Sequence, residues 1–333
     1  FLMGWHSGGH DNEYPEYRFD TQMGGRKGLC KALKDVSDKG GKVLLYIQGV
    51  QMNSNSTFYK KHGRKVSAKD IHGHEYRDVW NYFGEGTLLQ LSARQFLINA
   101  CPSTKEWQEK LIEETVRAGE VSPAGYFFDQ VGGQPCYLCF DKGHPHKPSL
   151  AMGPARASLF KRIMRDVRRK NPDQAVACEM ICDAILQFFD ISQPTWGLGE
   201  FTDPSGTVTF FSEMFHYTFP EYIHTLNIDN NDYNRVNYAS TMGYRFDVSI
   251  NRQRGTLAEA NPEFVGYLRK MSDIRQKYNR LLLHATFIDN EKFTIDNKSL
   301  VAKAHIYGKE LTVIVWNNTT QSESFSLKVP GYV

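Results

Sequence analysis

The sequence lacks any apolar run long enough for a membrane-spanning helix, which excludes such a helix within its 333 residues. Net charge is nearly absent: 40 Lys and Arg against 37 Asp and Glu leave +3, with no long basic run. Nucleic acid is therefore a poor partner for it. Cysteine is sparse. Six in a chain of this size do not make a disulfide scaffold, and Cys30, Cys178 and Cys182 fall on apparent core elements as free thiols. No secretory leader is read at its start, where the chain begins Phe1-Leu-Met-Gly-Trp5 without an initiator Met. It reads as a mature form or an excised piece of something longer, with the compartment left open. Repeats and low-complexity segments are missing too. Aromatic residues are what the chain has in plenty: 13%, with 17 Tyr, 21 Phe and 5 Trp. That suits a cleft whose rings stack on sugar faces, although ordinary cores also consume aromatics.

Periodicity alternates between strand and helix. Phe1 to Trp5 reads as a strand discharging into the loop Ser7-Gly-Gly-His-Asp11. A helix over about Arg26 to Lys39 carries Leu29, Leu33 and Val36 at helical spacing and stops at Gly40-Gly41. Lys42 to Gln48 is a near-continuous apolar strand, as strands covered on both faces are. This order implies a parallel pair with a right-handed crossover. Gly49 to about Gln90 is long and poorly periodic, carries the basic stretch Lys60 to Lys69 and Trp80 to Phe83, and reads as a loop walling a cleft. Ser103-Thr-Lys-Glu106 is a capping box for a helix buried along Trp107, Leu111 and Thr115. Arg156 to Lys170 is a helix with Phe160, Ile163, Met164 and Val167 inward. Later strands are expected over Thr207 to Phe211 and Gly243 to Ser249, and a helix over Phe264 to Tyr278. From about Leu281 the pattern turns to short alternating strands, Leu300 to Ile306, Leu311 to Trp316 and Ser324 to Val329. The fold class expected is thus α/β, a (β/α)8 TIM-type barrel over residues 1–280. An antiparallel, sandwich-like β appendage over 281–333 breaks off at Val333.

Two apolar strands end on acids. Gly125-Tyr-Phe-Phe-Asp129 runs into Gln130-Val-Gly-Gly133, and Ala175-Val-Ala-Cys-Glu179 follows one helix later. Chemistry in parallel α/β folds sits at the carboxyl ends of strands. An acid buried among aromatics costs several kcal/mol unless it has a partner or a task. Turn capping by Asp129, or a helix-dipole role for Glu179, would explain either acid singly. Together, one βα unit apart, they suit glycoside hydrolysis by double displacement. Asp129 would attack the anomeric carbon. Glu179 would protonate the leaving oxygen and then deprotonate water.

The stretch Trp5-His-Ser-Gly-Gly-His-Asp11, then Met23-Gly-Gly25 and the strand Lys42-Val-Leu-Leu-Tyr-Ile47, resembles the catalytic barrel of endo-α-N-acetylgalactosaminidases. It is also similar to a related, largely uncharacterised group of bacterial barrel proteins, to which it stands closer. The likeness covers roughly Phe1 to Asp183. It implies that Asp129 and Glu179, ending the fourth and fifth strands, are nucleophile and acid/base of a retaining enzyme. It implies that His10 and Asp11 bind sugar hydroxyls, with Trp5 beside them. Gln48, Gln130 and Arg245 join the substrate-binding set by strand-end position. On this alignment Phe1 to Trp5 is the second barrel strand, so the first is missing or formed elsewhere, and Gln48 stands where the family has Asn.

Cys136-x-x-Cys139 with His144-x-His146 offers four soft ligands within eleven residues, enough for a structural zinc site. A lone Cys-x-x-Cys is a weak signal, however, and two histidines after a catalytic strand can equally touch substrate. No metal and no cofactor are therefore expected. The expected partner is an oligosaccharide or glycan, with neither nucleic acid nor membrane. An exo-acting α-galactosidase or related α-glycosidase remains open as a second enzyme, and a non-catalytic carbohydrate-binding barrel as another class.

Overall fold

A computed structural model describes residues 1–333 except 79–95, 123, 134–136, 181, 194–210, 229–230, 249–258, 260 and 332–333. The chain is a mixed α/β protein divided into two compact units, Phe1–Asp190 and Ile191–Val333.

In the first unit the strands are β1 (Leu45–Gln48), β2 (Gln51–Asn53), β3 (Arg77–Asp78), β4 (Leu97–Asn99), β5 (Gly125–Asp129) and β6 (Ala175–Glu179). β1, β5 and β6 pair in parallel, in that order. Their apolar runs are continuous because both faces are covered. Phe128 meets Phe160 of the helix Gly153–Lys170 edge-on at 5.1 Å, and Phe160 lies 5.2 Å from Phe189. The register sets Gln48 beside Asp129 and Phe128 beside Cys178, so three polar residues close the carboxyl ends of three neighbouring strands.

Helices fall close to where periodicity puts them, at Gly25–Asp38, Lys105–Gly119 and Gly153–Lys170. Several details differ. Phe1 to Trp5 forms no full strand and contributes only a parallel bridge from Leu2 to Leu45. The expected loop after Gly49 instead holds β2, the helix Thr57–Val66 and β3, with β2, β4 and β3 forming an antiparallel sheet. That helix has Ser56 as its cap, accepting from the Tyr59 N–H at 3.0 Å, and buries Phe58, Gly63 and Val66 under an outward basic face. The cap of Lys105–Gly119 is Thr104 rather than Ser103, and its hydroxyl donates to the Cys101 carbonyl instead of closing a capping box. Trp80 to Phe83 lies outside the described residues.

In the second unit, β7 (Ile191–Gln193), β8 (Ile223–Ile228) and β9 (Arg245–Val248) pair in parallel in that order. The helices Tyr233–Met242 and Pro262–Lys277 supply Val236, Ala239, Met242, Phe264 and Leu268 to a core with Leu226 and Ile228. Antiparallel pairing begins with β10 (Thr286–Phe287), followed by β11 (Thr294–Ile295), β12 (Val301–Tyr307), β13 (Glu310–Trp316) and β14 (Leu327–Lys328). Sheets β10-β12-β13 and β11-β14 result. Most of the strand expected over Thr207 to Phe211 lies outside the described residues, and Phe211 opens the helix Phe211–Thr218. Among the described residues no closed eight-stranded barrel is present; each unit contributes three parallel strands.

Candidate active site

Asp129 and Glu179 end neighbouring parallel strands, and their side chains are hydrogen-bonded to one another. Each chain turn is built the same way. The following residue, Gln130 or Met180, takes a left-handed conformation with φ of 62° and 61°. Gln130 N–H donates to Glu179 Oε2 at 3.0 Å, and Gly132 N–H to the Glu179 carbonyl at 3.0 Å. The loop approaches so closely that a Cβ on Gly132 would lie 2.6 Å from the Met180 carbonyl carbon and oxygen. Only glycine fits there.

Asp129 is buried, with two donors on one oxygen: Tyr46 Oη at 2.5 Å and Gln48 Nε2 at 3.0 Å, both to Oδ2. Burial, then the Glu179 charge, holds the Asp129 carboxyl well above its ordinary range, while the Tyr46 hydrogen bond pulls the other way. Gln48 is wholly committed. Its Oε1 accepts from Val50 and Gln51 N–H at 2.9 and 3.2 Å while its Nε2 serves Asp129, so its amide orients the acid.

The Gly8 to Asp11 loop meets the same pair. Asp11, with φ 57°, is pushed up to about 7 by burial and then by the Glu179 charge. Its Oδ2 is buried without a hydrogen-bond partner, with His10 Nε2 at 3.6 Å. His10 stands edge-on to Tyr46 at 5.0 Å and is lowered by burial. Trp5 is turned inward: its indole N–H donates to the Tyr46 carbonyl at 2.8 Å and its ring stacks on Tyr17 at 5.5 Å. Gln130 is buried with an unpartnered Oε1.

Arg245 requires a correction. It opens β9 instead of closing it, and its guanidinium donates to the carbonyl of Leu283 at 2.8 Å and, at 3.4 Å, that of Gly243. In the second unit, the polar residues towards strand carboxyl ends are Gln193, which donates to Asp247, and Asn227, which also bonds Asp247. Tyr14, Tyr17 and Tyr46 were invisible as site residues. Tyr17 Oη accepts from Gln48 N–H at 2.5 Å, and Tyr14 bonds Tyr46. Tyr46 lies inside an apolar strand and Tyr14 and Tyr17 in the polar stretch after the Gly8 to Asp11 loop, and nothing in their spacing marks them as partners of the acids.

The family described as a domain of unknown function, DUF6259, matches residues 1–226. This chain belongs to that family. No curated protein sequence matches it. Solved structures do. The ligand-free α-N-acetylgalactosaminidase NagBb from Bifidobacterium bifidum is 12% identical with a TM-score of 0.65, over 94% of this chain and 47% of that one. The maltogenic α-amylase AmyB from Thermotoga neapolitana is 14% identical with a TM-score of 0.62, over 90% and 70%. An α-amylase from Geobacillus thermoleovorans, complexed with acarbose, is 16% identical with a TM-score of 0.61, over 96% and 76%. The DUF6259 chain thus spans about half the length of NagBb, and at these identities the likeness is one of fold. No described helix is long and apolar enough to cross a membrane.

Proposed function

We propose that this DUF6259 chain is a retaining glycoside hydrolase acting on α-linked sugars, built on a (β/α)8-type barrel. The observation that carries the reading is the hydrogen-bonded pair of carboxyls at adjacent strand ends. The fold shared with an α-N-acetylgalactosaminidase and two amylases supports it.

The mechanism follows from the hydrogen bonds. Tyr46 and Gln48 both donate to Asp129 Oδ2, which supports the ionised form of that carboxyl against the burial and the Glu179 charge that raise it. The reaction needs Asp129 ionised and Glu179 carrying the proton. Asp129 then attacks the anomeric carbon, the glycosidic C–O bond breaks, and the Glu179 proton goes to the leaving oxygen. Water completes the cycle: Glu179 takes its proton as its oxygen displaces Asp129 from the glycosyl ester. Retaining enzymes hold their carboxyls about 5–5.5 Å apart and inverting ones about 6.5–9.5 Å. Asp11, whose buried Oδ2 makes no hydrogen bond, and His10 would take sugar hydroxyls. Gln48 is a positioning residue.

The test is a panel of aryl α- and β-glycosides offered to wild-type protein and to Asp129→Asn. Cleavage confined to α-glycosides and lost in the variant is the expected outcome. Binding of sugars without turnover by the wild type would put the carbohydrate-binding barrel in its place.

A further inference from the structure

A second constellation lies in the first unit, in the loop between β5 and the helix Gly153–Lys170. Cys139, His144 and His146 come from that loop, and Cys101 comes from the turn after β4. One ligand atom of each lies within 4.8 Å of all the others. Cys139 Sγ is 3.3 Å from His144 Nδ1, and Cys101 Sγ is 3.2 Å from His146 Nε2. Around a tetrahedral zinc with bonds of about 2.3 Å to sulfur and 2.0–2.1 Å to nitrogen, adjacent S and N ligands sit about 3.5 Å apart. The observed spacings need only a few tenths of an ångström of adjustment.

The outer hydrogen bonds fix both rings for the task. His144 Nε2 lies 2.8 Å from the Lys65 carbonyl, and His146 Nδ1 lies 3.0 Å from the Lys147 carbonyl. A carbonyl only accepts, so each of these nitrogens carries the proton. The lone pairs are left on His144 Nδ1 and His146 Nε2, the atoms facing the sulfurs. Backbone N–H groups of Lys69 and Asp141 serve Cys139, and that of Ser103 serves Cys101, as thiolate ligands require.

We propose that Cys101, Cys139, His144 and His146 bind one structural zinc ion. Two thiolates and two neutral imidazoles give a closed, uncharged, four-coordinate site with no open position, the pattern of structural rather than catalytic zinc. The competing chemistries fit less well. Cys139 with His144 resembles a nucleophile–base dyad, but Cys139 and Cys101 are fully buried and offer no approach to a substrate. The ligand set also departs from the local Cys136-x-x-Cys139 pattern: Cys101, thirty-eight residues before Cys139, takes the fourth place, and Cys136 lies outside the described residues. The ion would pin the loop that follows Asp129 to the turn that precedes the helix Lys105–Gly119.

Metal analysis of the wild-type protein, purified without chelator from zinc-containing medium, tests this directly. About one zinc per chain is expected, with Cys136→Ser keeping it and Cys101→Ser and His146→Ala each losing it. Should those variants fold poorly, cobalt(II) added to metal-stripped wild type gives a readout without mutation. The bands of a tetrahedral site with two thiolate-to-metal charge transfers are expected, together with a rise in Tm on reconstitution. Wild type that takes up neither zinc nor cobalt overturns the proposal. So does a Cys101–Cys139 disulfide, or zinc lost with Cys136→Ser and retained by Cys101→Ser.

Discussion

At the scale of single residues, the Asp129 environment couples function to instability. Asp129→Asn removes the proposed nucleophile and, with it, a buried carboxyl held against Glu179. Turnover should fall by at least about three orders of magnitude while Tm at neutral pH rises; a variant that stays active removes Asp129 from the mechanism. Tyr46→Phe deletes a donor to Asp129 Oδ2. Hydrogen bonds to charged groups contribute about 1.5–3 kcal/mol, so kcat/KM should drop roughly 10–100-fold. The acid limb of its pH profile should also move upward, because the ionised form has lost support; an unmoved limb would make Tyr46 mere packing. Asp11 gives a stability test. Its folded pKa is raised to about 7, so the folded state keeps a proton that the unfolded chain releases near pH 4. Its contribution is therefore lost as pH rises through about 7. His6, lowered to about 4 by burial, acts oppositely in the acid range, so the comparison is by difference. Asp11→Asn should lose less Tm than wild type between about pH 5 and pH 8; parallel curves would place Asp11 in solvent-like surroundings.

At the scale of elements, the turns after β5 and β6 hold the acids in place. Gly132→Ala puts a Cβ 2.6 Å from Met180 backbone, which cannot yield cheaply, whereas Gly153→Ala meets nothing within 4 Å. The first should lower both Tm and activity and the second neither, as paired melts and assays would show. The two acid-tipped strands were legible in the sequence because a fully buried parallel strand leaves an unbroken apolar run, and a terminal acid then stands out. The helix Thr57–Val66 was not: with Gly63 inside it and only Phe58 and Val66 as buried apolar anchors, its basic face reads as loop. Arg245 was misplaced by one strand length, because an apolar stretch shows where a strand lies better than which end faces the chemistry. The local Cys-x-x-Cys pointed to the metal-like loop but not to Cys101, which tertiary folding brings in from thirty-eight residues away.

At the scale of the whole molecule, the two units each hold parallel strands with polar carboxyl ends: Gln48, Asp129 and Glu179 in one, Gln193 and Asp247 in the other. The chemistry proposed above belongs to the first unit. Glu179→Gln should therefore slow substrates with poor leaving groups far more than activated aryl glycosides, and equal losses on both would mark Glu179 as structural. The most direct measurement is the configuration of the first product, followed by proton NMR as wild-type protein cleaves an aryl α-glycoside before mutarotation sets in. The α-anomer appearing first is what attack by Asp129 and double displacement predict. The β-anomer appearing first would mean a single displacement by water and would contradict the account.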